Sequence, residues 1–480
     1  MVKNLKVDSP QLDGAIRRQF AGAADFCARE LHCGGQILYT YDIDGLVSGG
    51  DCSHYIVKPL MERLKAGTME ELYEQALYES LYNSVAIACD DLGDVLLKLV
   101  NGFSVVLFPG VGAIALEVKT GDRRSPSPPE VENTVKGAKD AFVETGRSNT
   151  GLVRRHLRTP DLEIYETRVG KRSLTSVSVL TIGGITAPEL KGRVIRRLGE
   201  IEIDGLISTA AVEEYLTGSR ATAFPLLQYT ERPDTFCRGL LDGRVGLLID
   251  GIPLGYLLPV DLGYLMESPE DRGRDAATAS AIRILRFCAL VTSLLLPGFF
   301  IAITAFHPEM IPLPLLRAMI ESRKAAPFST AAEILGLLIA FELLQESAIH
   351  LAQAVGQSVS TIGGIVVGTA AVQAGLISPI SLIIVSIGGI CGFALPSRDL
   401  ASAIRLWRFG IGVLSGIGGL LGTAVGLICL TVHISGLCSL GIPYLAPFQS
   451  DIQGAILRRR LKKEKFRNLR LRPQDRRNQA

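Results

Sequence analysis

Glu342, Glu346, His350 and Gln353 recur every three or four residues in an otherwise apolar segment that begins at Ala331, AAEILGLLIAFELLQESAIHLAQAVGQ. At 3.6 residues per turn they share one stripe of a helix, with Gln345 at its edge. Carboxylates, an imidazole and amides in such a row can attract cations or fasten a neighbouring helix by hydrogen bonds. They are poorly suited to hydrocarbon, where each carboxylate costs roughly 2.5–3.5 kcal/mol on insertion scales. A stripe of this kind inside a membrane must therefore face protein or water. The other reading is that the segment is already leaving the membrane, which would make Glu346 and His350 ordinary headgroup-level residues. Glu342, about half-way along, is the residue that separates the two readings.

The next segment, STIGGIVVGTAAVQAGL, has almost no bulk. Gly364 and Gly368 form a small-xxx-small pair that lets helices approach closely, and Thr369 and Gln373 are its polar members.

These two segments lie in a chain of 480 residues with two dissimilar halves. Residues 1–280 mix charges with short apolar runs, whereas apolar runs of spanning length dominate from Ile282 to Phe448. The net charge of +2 averages over this segregation; residues 458–477 hold eleven Arg or Lys against Glu464 and Asp475. That basic tail suits either anchoring on anionic headgroups or a partner site. The N-terminal MVKNLKVDSPQLDGAIRRQF lacks the apolar core of a signal peptide, which puts the first half in the cytosol. Nine cysteines without C-x-x-C spacing fit a reducing compartment. Cys27, His32, Cys33, Cys52 and His54 match no common zinc spacing, so no metal is expected.

Along the chain, residues 1–30 read as a polar lead-in. ILYTYDIDGLV reads as a strand ending at Asp44-Gly45, followed by helical stretches from Asp51 and Met69. FSVVLF and AIALEV flank Pro109-Gly110-Val111-Gly112 as a hairpin, since a nucleotide loop would need a third glycine. GDRRSPSPPE is a linker. Beyond it, LEIYETRV with SLTSVSVLTI and RVGLLID with PLGYLLPV are hairpins, and residues 187–200 form a helix with Leu190, Val194, Ile195 and Leu198 on one face. The predicted fold is a cytosolic α/β half in two subdomains, residues 1–125 and 126–275. An all-α polytopic membrane domain follows over 282–448, then a basic tail over 449–480. No nucleophile–base set or P-loop stands out, and His156 in RRHLR reads as part of a solvated basic face. Neither an enzyme nor a cofactor is expected.

In the second half a first span carries Pro297, and PLLRAMIES is an amphipathic interfacial or re-entrant element. Arg398, Arg405 and Arg408 collect before a long apolar stretch rich in glycine (412, 416, 418, 422 and 426), and a Gly-Ile-Pro break at 441–443 suggests that a half-span or return loop follows the main helix. The positive-inside rule places Arg286, these arginines and the tail in the cytoplasm. Four spans with a re-entrant piece, or six shorter spans, satisfy it; five do not.

Taken in order, several stretches resemble the A subunit of the GerA-type spore germinant receptors of endospore-forming bacteria, from about Ile37 to the tail. They are DIDGLV (42–47), PPEVENTVKGAKDAFVE (128–144), NTGLVRRHL (149–157), FPLLQYTERPD (224–234), DGRVGLLIDGIP (242–253), HPEMIPLPLL (307–316), RKAAPF (323–328), FELLQES (341–347), GQSVSTIGGIVVGTAAVQAGLISP (356–379) and AIRLWRF (403–409). The cytosolic motif residues so marked include Asp44, Glu130, Lys136, Glu144, Arg154, Glu231, Arg232 and Asp250. Lys136, Ala138 and Ala141 depart from the family's Arg, Pro and Gly, and Gln345 stands where a basic residue is common. The stage V sporulation AF-type protein shares the architecture. The resemblance implies a multi-pass protein of the spore inner membrane, with its N-terminal domain and tail cytoplasmic. It implies a transporter-like B subunit and a lipoprotein C subunit as partners, contact with membrane lipids, and no nucleic acid. It further implies a homo-oligomer, pentameric in the family's pattern, that forms a gated cation-release channel. In that setting the helix from Thr361 to Leu376, with Gly364 and Gly368, would approach the axis, and Val366, Thr369 and Gln373 would ring a constriction; the alternative for the glycines is plain lateral packing within one subunit. The alternatives are an accessory ion-release protein of the AF type and a non-conducting scaffold subunit.

Overall fold

The computed structural model describes residues 5–478 apart from 65–66, 82, 120–128, 130–131, 133, 135–136, 208, 219–221, 325, 351–367, 447, 449–451 and 459–465. The chain divides into two compact units. One comprises Met1–Ser219, Leu227–Pro259 and Lys462–Ala480, the other Arg220–Leu226 and Val260–Leu461.

The first unit contains two antiparallel five-stranded sheets. Helix α1 (Leu12–Gln19) precedes strands β1 (Phe26–Cys33) and β2 (Gln36–Ile43), so residues 1–30 are not a lead-in but contribute a helix and most of an edge strand. Helices α2 (Lys58–Arg63) and α3 (Met69–Gln75) follow, then β3 (Ala86–Cys89), α4 (Leu92–Val100), β4 (Phe103–Phe108) and β5 (Gly112–Glu117). The spatial order is β1-β2-β4-β5-β3. Val105 and Leu107 of β4 pack with Leu12, Ile16, Val95 and Leu99 on one side. Val106 and Phe108 pack with Leu60, Leu72 and Ala76 on the other. Coverage of both faces explains why residues 105–108, VVLF, are continuously apolar rather than alternating. Each such side chain contributes roughly 1.5–3 kcal/mol when fully buried.

The second sheet is built from β6 (Leu162–Val169), β7 (Thr175–Ile182), β8 (Gln228–Thr230), β9 (Val245–Ile249) and β10 (Gly255–Leu258), in the order β6-β7-β9-β10-β8. Three helices pack on it: α5 (Gly146–His156), α6 (Pro188–Gly199) and α8 (Pro233–Leu241); α7 (Thr209–Thr217) lies against α6. Phe236 of α8 lies flat against Gly246 and Gly255, where any Cβ would collide with its ring. It meets Phe142 edge-on at 5.4 Å. The end of the chain returns to this sheet domain. Gln474 and Asp475 donate backbone N–H bonds to the Ile185 and Gly184 carbonyls at 3.0 and 2.9 Å, and Leu471 is buried.

The second unit is helical: α9 (Ala276–Phe306), α10 (Leu313–Arg323), α11 (Thr330–His350), α12 (Pro379–Phe393) and a continuous run, α13 (Arg398–Ser435). Gly419 interrupts α13 with φ +59° and ψ −137°. In a straight helix Trp407 and His433 would be about 39 Å apart; their rings are 5.4 Å apart. The run is therefore a hairpin of two antiparallel arms, of about 30 and 24 Å at 1.5 Å per residue. Ser415 and Thr423 share a 2.8 Å hydrogen bond across it. The helical run reverses at Gly419, ahead of the Gly-Ile-Pro break. That stretch forms a two-stranded pairing of Cys438–Ser439 with Ile442–Pro443. The first arm runs parallel to α9: Leu294 clusters with Leu400 and Ile404 at one end, and Phe306 meets Gly419 at the other.

Candidate functional site

Polar side chains inside the helical unit form two stations at different depths. Helix α11 runs antiparallel to the first arm of α13, with Ala331 against Gly416 and Leu335 against Gly412. That register brings Glu342 to Arg405, with Oε1 3.2 Å from Nη1. Arg408, one turn further along, is 2 % exposed. Its Nη1 lies 3.7 Å from where a Gly388 Cβ would stand, so glycine there leaves space beside the guanidinium.

Towards the Gly419 end, Glu333 is buried at 3 % exposure. Its Oε2 accepts hydrogen bonds from the Ser378 N–H at 3.3 Å, the Ser378 hydroxyl at 3.0 Å and the Ser381 hydroxyl at 2.7 Å. Ser378 is also the N-cap of α12, so a carboxylate sits at a helix N-terminus where unpaired N–H groups favour negative charge. Arg323 Nη2 is 3.7 Å from the other oxygen. Sequence reasoning passed over Glu333 because an acid in the first turn of an apolar helix looks like an ordinary solvent-side start.

Glu342 and Glu346 are exposed at the surface of this unit and Gln345 is half-buried. Gly368 is buried beside Leu382, whereas Thr369 and Gln373 are exposed. Thr361, Gly364, Val366 and Gln353 lie outside the described residues, as do the side chain of His350 and all of Glu130 and Lys136. The surface around the exposed polar groups is apolar, with Ile339, Leu343, Ile383, Ile387, Ile390 and Phe393 all exposed.

The motif residues of the first unit are fasteners within it. Arg154 of α5 makes a bidentate pair with Asp25, at 2.5 and 2.6 Å, with both side chains 1 % exposed. Arg147 bridges Asp44 at 3.0 Å and Glu166 at 2.8 Å. Gly45 and Gly151 bring the DIDG turn and α5 into backbone contact; a Cβ on Gly151 would sit 2.7 Å from the Gly45 carbonyl oxygen. Buried Arg232 grips Asp234 and donates to Thr134 at 2.7 Å. Asp250 accepts from the Gly146 N–H at 2.8 Å, the Glu144 carbonyl accepts from Gly251 at 2.7 Å, and the Glu231 carbonyl accepts from Phe142 at 2.8 Å. His156 is not on a free basic face: it pairs with Asp140 at 2.8 Å, which raises the imidazole's pKa and lowers the carboxyl's.

Asp42 differs from these fasteners. Burial, and then the charge of Asp44, push its carboxyl up from 3.8 to about 6. An acid whose folded pKa is raised binds its proton more tightly in the fold than in the unfolded chain. Stability therefore falls as pH rises from about 4 through 6, and the penalty is complete above that. Asp42→Asn is expected to stabilise the α/β unit by roughly 1–3 kcal/mol at pH 7.5 and to change nothing at pH 4, read by thermal melting at both values.

The α/β unit with its two sheets is accompanied by helices, of which α9 and the two-armed run α13 contain stretches long and apolar enough to cross a membrane. The family description "Bacillus/Clostridium GerA spore germination protein" matches residues 14–474, and the chain belongs to that family. It is 33% identical over 438 residues to the "Uncharacterized membrane protein YfkQ" of Bacillus subtilis (strain 168), covering 90% of this chain and 84% of that protein. It is 32% identical to spore germination protein XA of Bacillus anthracis, covering 85% of each. It is 31% identical to spore germination protein KA of Bacillus subtilis (strain 168), covering 92% of this chain and 82% of that one. A solved structure, the N-terminal domain of the A subunit of the Bacillus megaterium spore germinant receptor GerK3, aligns at 24% identity with a TM-score of 0.41, covering 54% of this chain and 96% of that one.

Proposed function

We propose that the chain is the A subunit of a nutrient germinant receptor of the spore inner membrane, and that copies of it assemble around a gated path for monovalent cations. The observation that carries this reading is the pattern on the helical unit. Large apolar side chains cover its surface, yet Glu346, Thr369 and Gln373 are exposed among them. Soluble monomers rarely expose so much contiguous apolar area, which lipid would cover. Lipid would not suit the polar residues, and a neighbouring copy or an enclosed wet path removes that cost. A ring of Thr369 and Gln373, with Val366 beside it in the sequence, gives a mostly apolar constriction that gates by dewetting. The hairpin at Gly419 supports a topology in which the start of α9 and the tail share the cytoplasmic side. A transporter-like B subunit and a lipoprotein C subunit are the proposed partners that couple nutrient binding to opening.

Labelling tests this. Thr369→Cys and Gln373→Cys, in membranes from cells expressing the full chain, are expected to react with a small water-soluble thiol reagent. Ile387→Cys on the apolar surface is expected to react at least 10-fold more slowly. Equal, slow labelling at all three positions would place the polar residues in lipid and remove the basis for a wet path.

A further inference from the structure

Arg408 is a guanidinium in the core of the helical unit, and its Nε and Nη1 atoms have no hydrogen-bond partner among the described residues. Pro297 and the guanidinium both lie within 4 Å of where a Gly388 Cβ would stand, so glycine there leaves them room. A buried guanidinium with two N–H groups lacking acceptors among the described residues is costly, and an arrangement that supplies an acceptor relieves that cost. The acidic group that acts on Arg408 is Glu342, now bonded to Arg405. Arg405 and Arg408 are three residues apart on one helical face, which spaces their origins about 5–6 Å apart. Phe341, next to Glu342 in the chain, already rests on Gly389, adjacent to the glycine over Arg408. The exchange of one arginine for the other would take a rotation about the Glu342 side chain and a slide of α11.

We propose that Glu342 is a shared counter-ion, held by Arg405 in this arrangement and passing to Arg408 in a second arrangement of the helical unit. This rests on the gated reading above insofar as the second arrangement is the conducting one. Arg405 then favours the first state and Arg408 the second, so neutralising them has opposite effects. Both are positioning residues that act through Glu342.

Trp407, the chain's sole tryptophan, lies between the two arginines in sequence, with its ring 5.4 Å from that of His433. The test uses the full chain in lipid nanodiscs, following Trp407 emission and the melting temperature. In an Arg405→Gln background, adding Glu342→Gln is expected to lower Tm by roughly 4–8 °C, because Glu342 has moved to Arg408. In Arg405→Gln/Arg408→Gln it is expected to change Tm by less than about 2 °C. Arg408→Lys keeps the charge and is expected to preserve the Glu342→Gln effect, which covers the case in which Arg408→Gln does not fold. A silent Glu342→Gln in the Arg405→Gln background overturns the proposal, as does an effect that survives removal of both arginines. In vesicles, Arg405→Gln is expected to raise cation leak and Arg408→Gln to lower it. If no variant conducts, the channel reading falls while the melting series still decides the pairing.

Discussion

Gly422→Ala is expected to abolish the native helical hairpin, whereas Gly418→Ala, four residues away, leaves it intact. The two arms of α13 touch backbone to backbone at Gly422, where a Cβ would overlap the Leu414 carbonyl oxygen and lie 2.6 Å from its carbon. A backbone carbonyl cannot swing aside as a side-chain tip can, so the arms must separate and their packing is lost. Overpacking of this severity costs roughly 3–4 kcal/mol or more. Gly418 has nothing within 4 Å of the equivalent position, and alanine there mildly favours helix. In scanning fluorimetry of the detergent-solubilised chain, Gly422→Ala is expected to melt about 10 °C lower and Gly418→Ala within about 2 °C of the parent. Gly426, where a Cβ would lie 3.0 Å from Ile411 Cγ1, should fall between them. Equal melting of the 422 and 418 variants would mean that α13 does not fold back at Gly419.

The second large effect is expected at Arg154. Its fork is filled by both oxygens of Asp25, and Nη2 also donates to the Leu162 carbonyl at 3.3 Å. Arg154→Met leaves a carboxylate in the interior with no cation, a loss of about 3–5 kcal/mol. The same region carries the backbone bridge between Ala23 and Ile164, so the damage falls where the two sheets join. Arg154→Met combined with Asp25→Leu is expected to recover most of the stability, because it is the widowed charge and not the missing pair that is costly. Urea unfolding of the single and double variants checks this. A double variant as unstable as the single one would show that the pair itself carries the stability.

Legibility in the sequence followed how local each signal was. The β4–β5 and β9–β10 hairpins were readable because their apolar runs end on turn glycines a few residues apart. Helix α1 and strand β1 were not. Leu31 and Cys33 are the only residues of β1 that are fully buried, so the strand shows no clear alternation. The glycine-rich character of residues 412–426 was plain, yet Gly419 was invisible among its neighbours. Its positive φ makes it the turning point, and Phe306 lies where a Cβ would stand. Glu342 stood out because charge in an apolar run is conspicuous. Glu333 did not, since its role depends on Ser378 and Ser381, more than forty residues on. Arg154 and Asp25, 129 residues apart, are joined by no periodicity at all.

Conduction is the claim on which the functional account depends, and cation leak is its most direct measure. The full chain would be purified and reconstituted in potassium-loaded vesicles, and efflux compared for the parent, Val366→Ala and Thr369→Ala. If these residues form the proposed constriction, trimming them is expected to speed potassium loss at least 10-fold over the parent chain and to leave anion retention intact. Efflux from both variants no faster than from protein-free vesicles would contradict a pore along that helix.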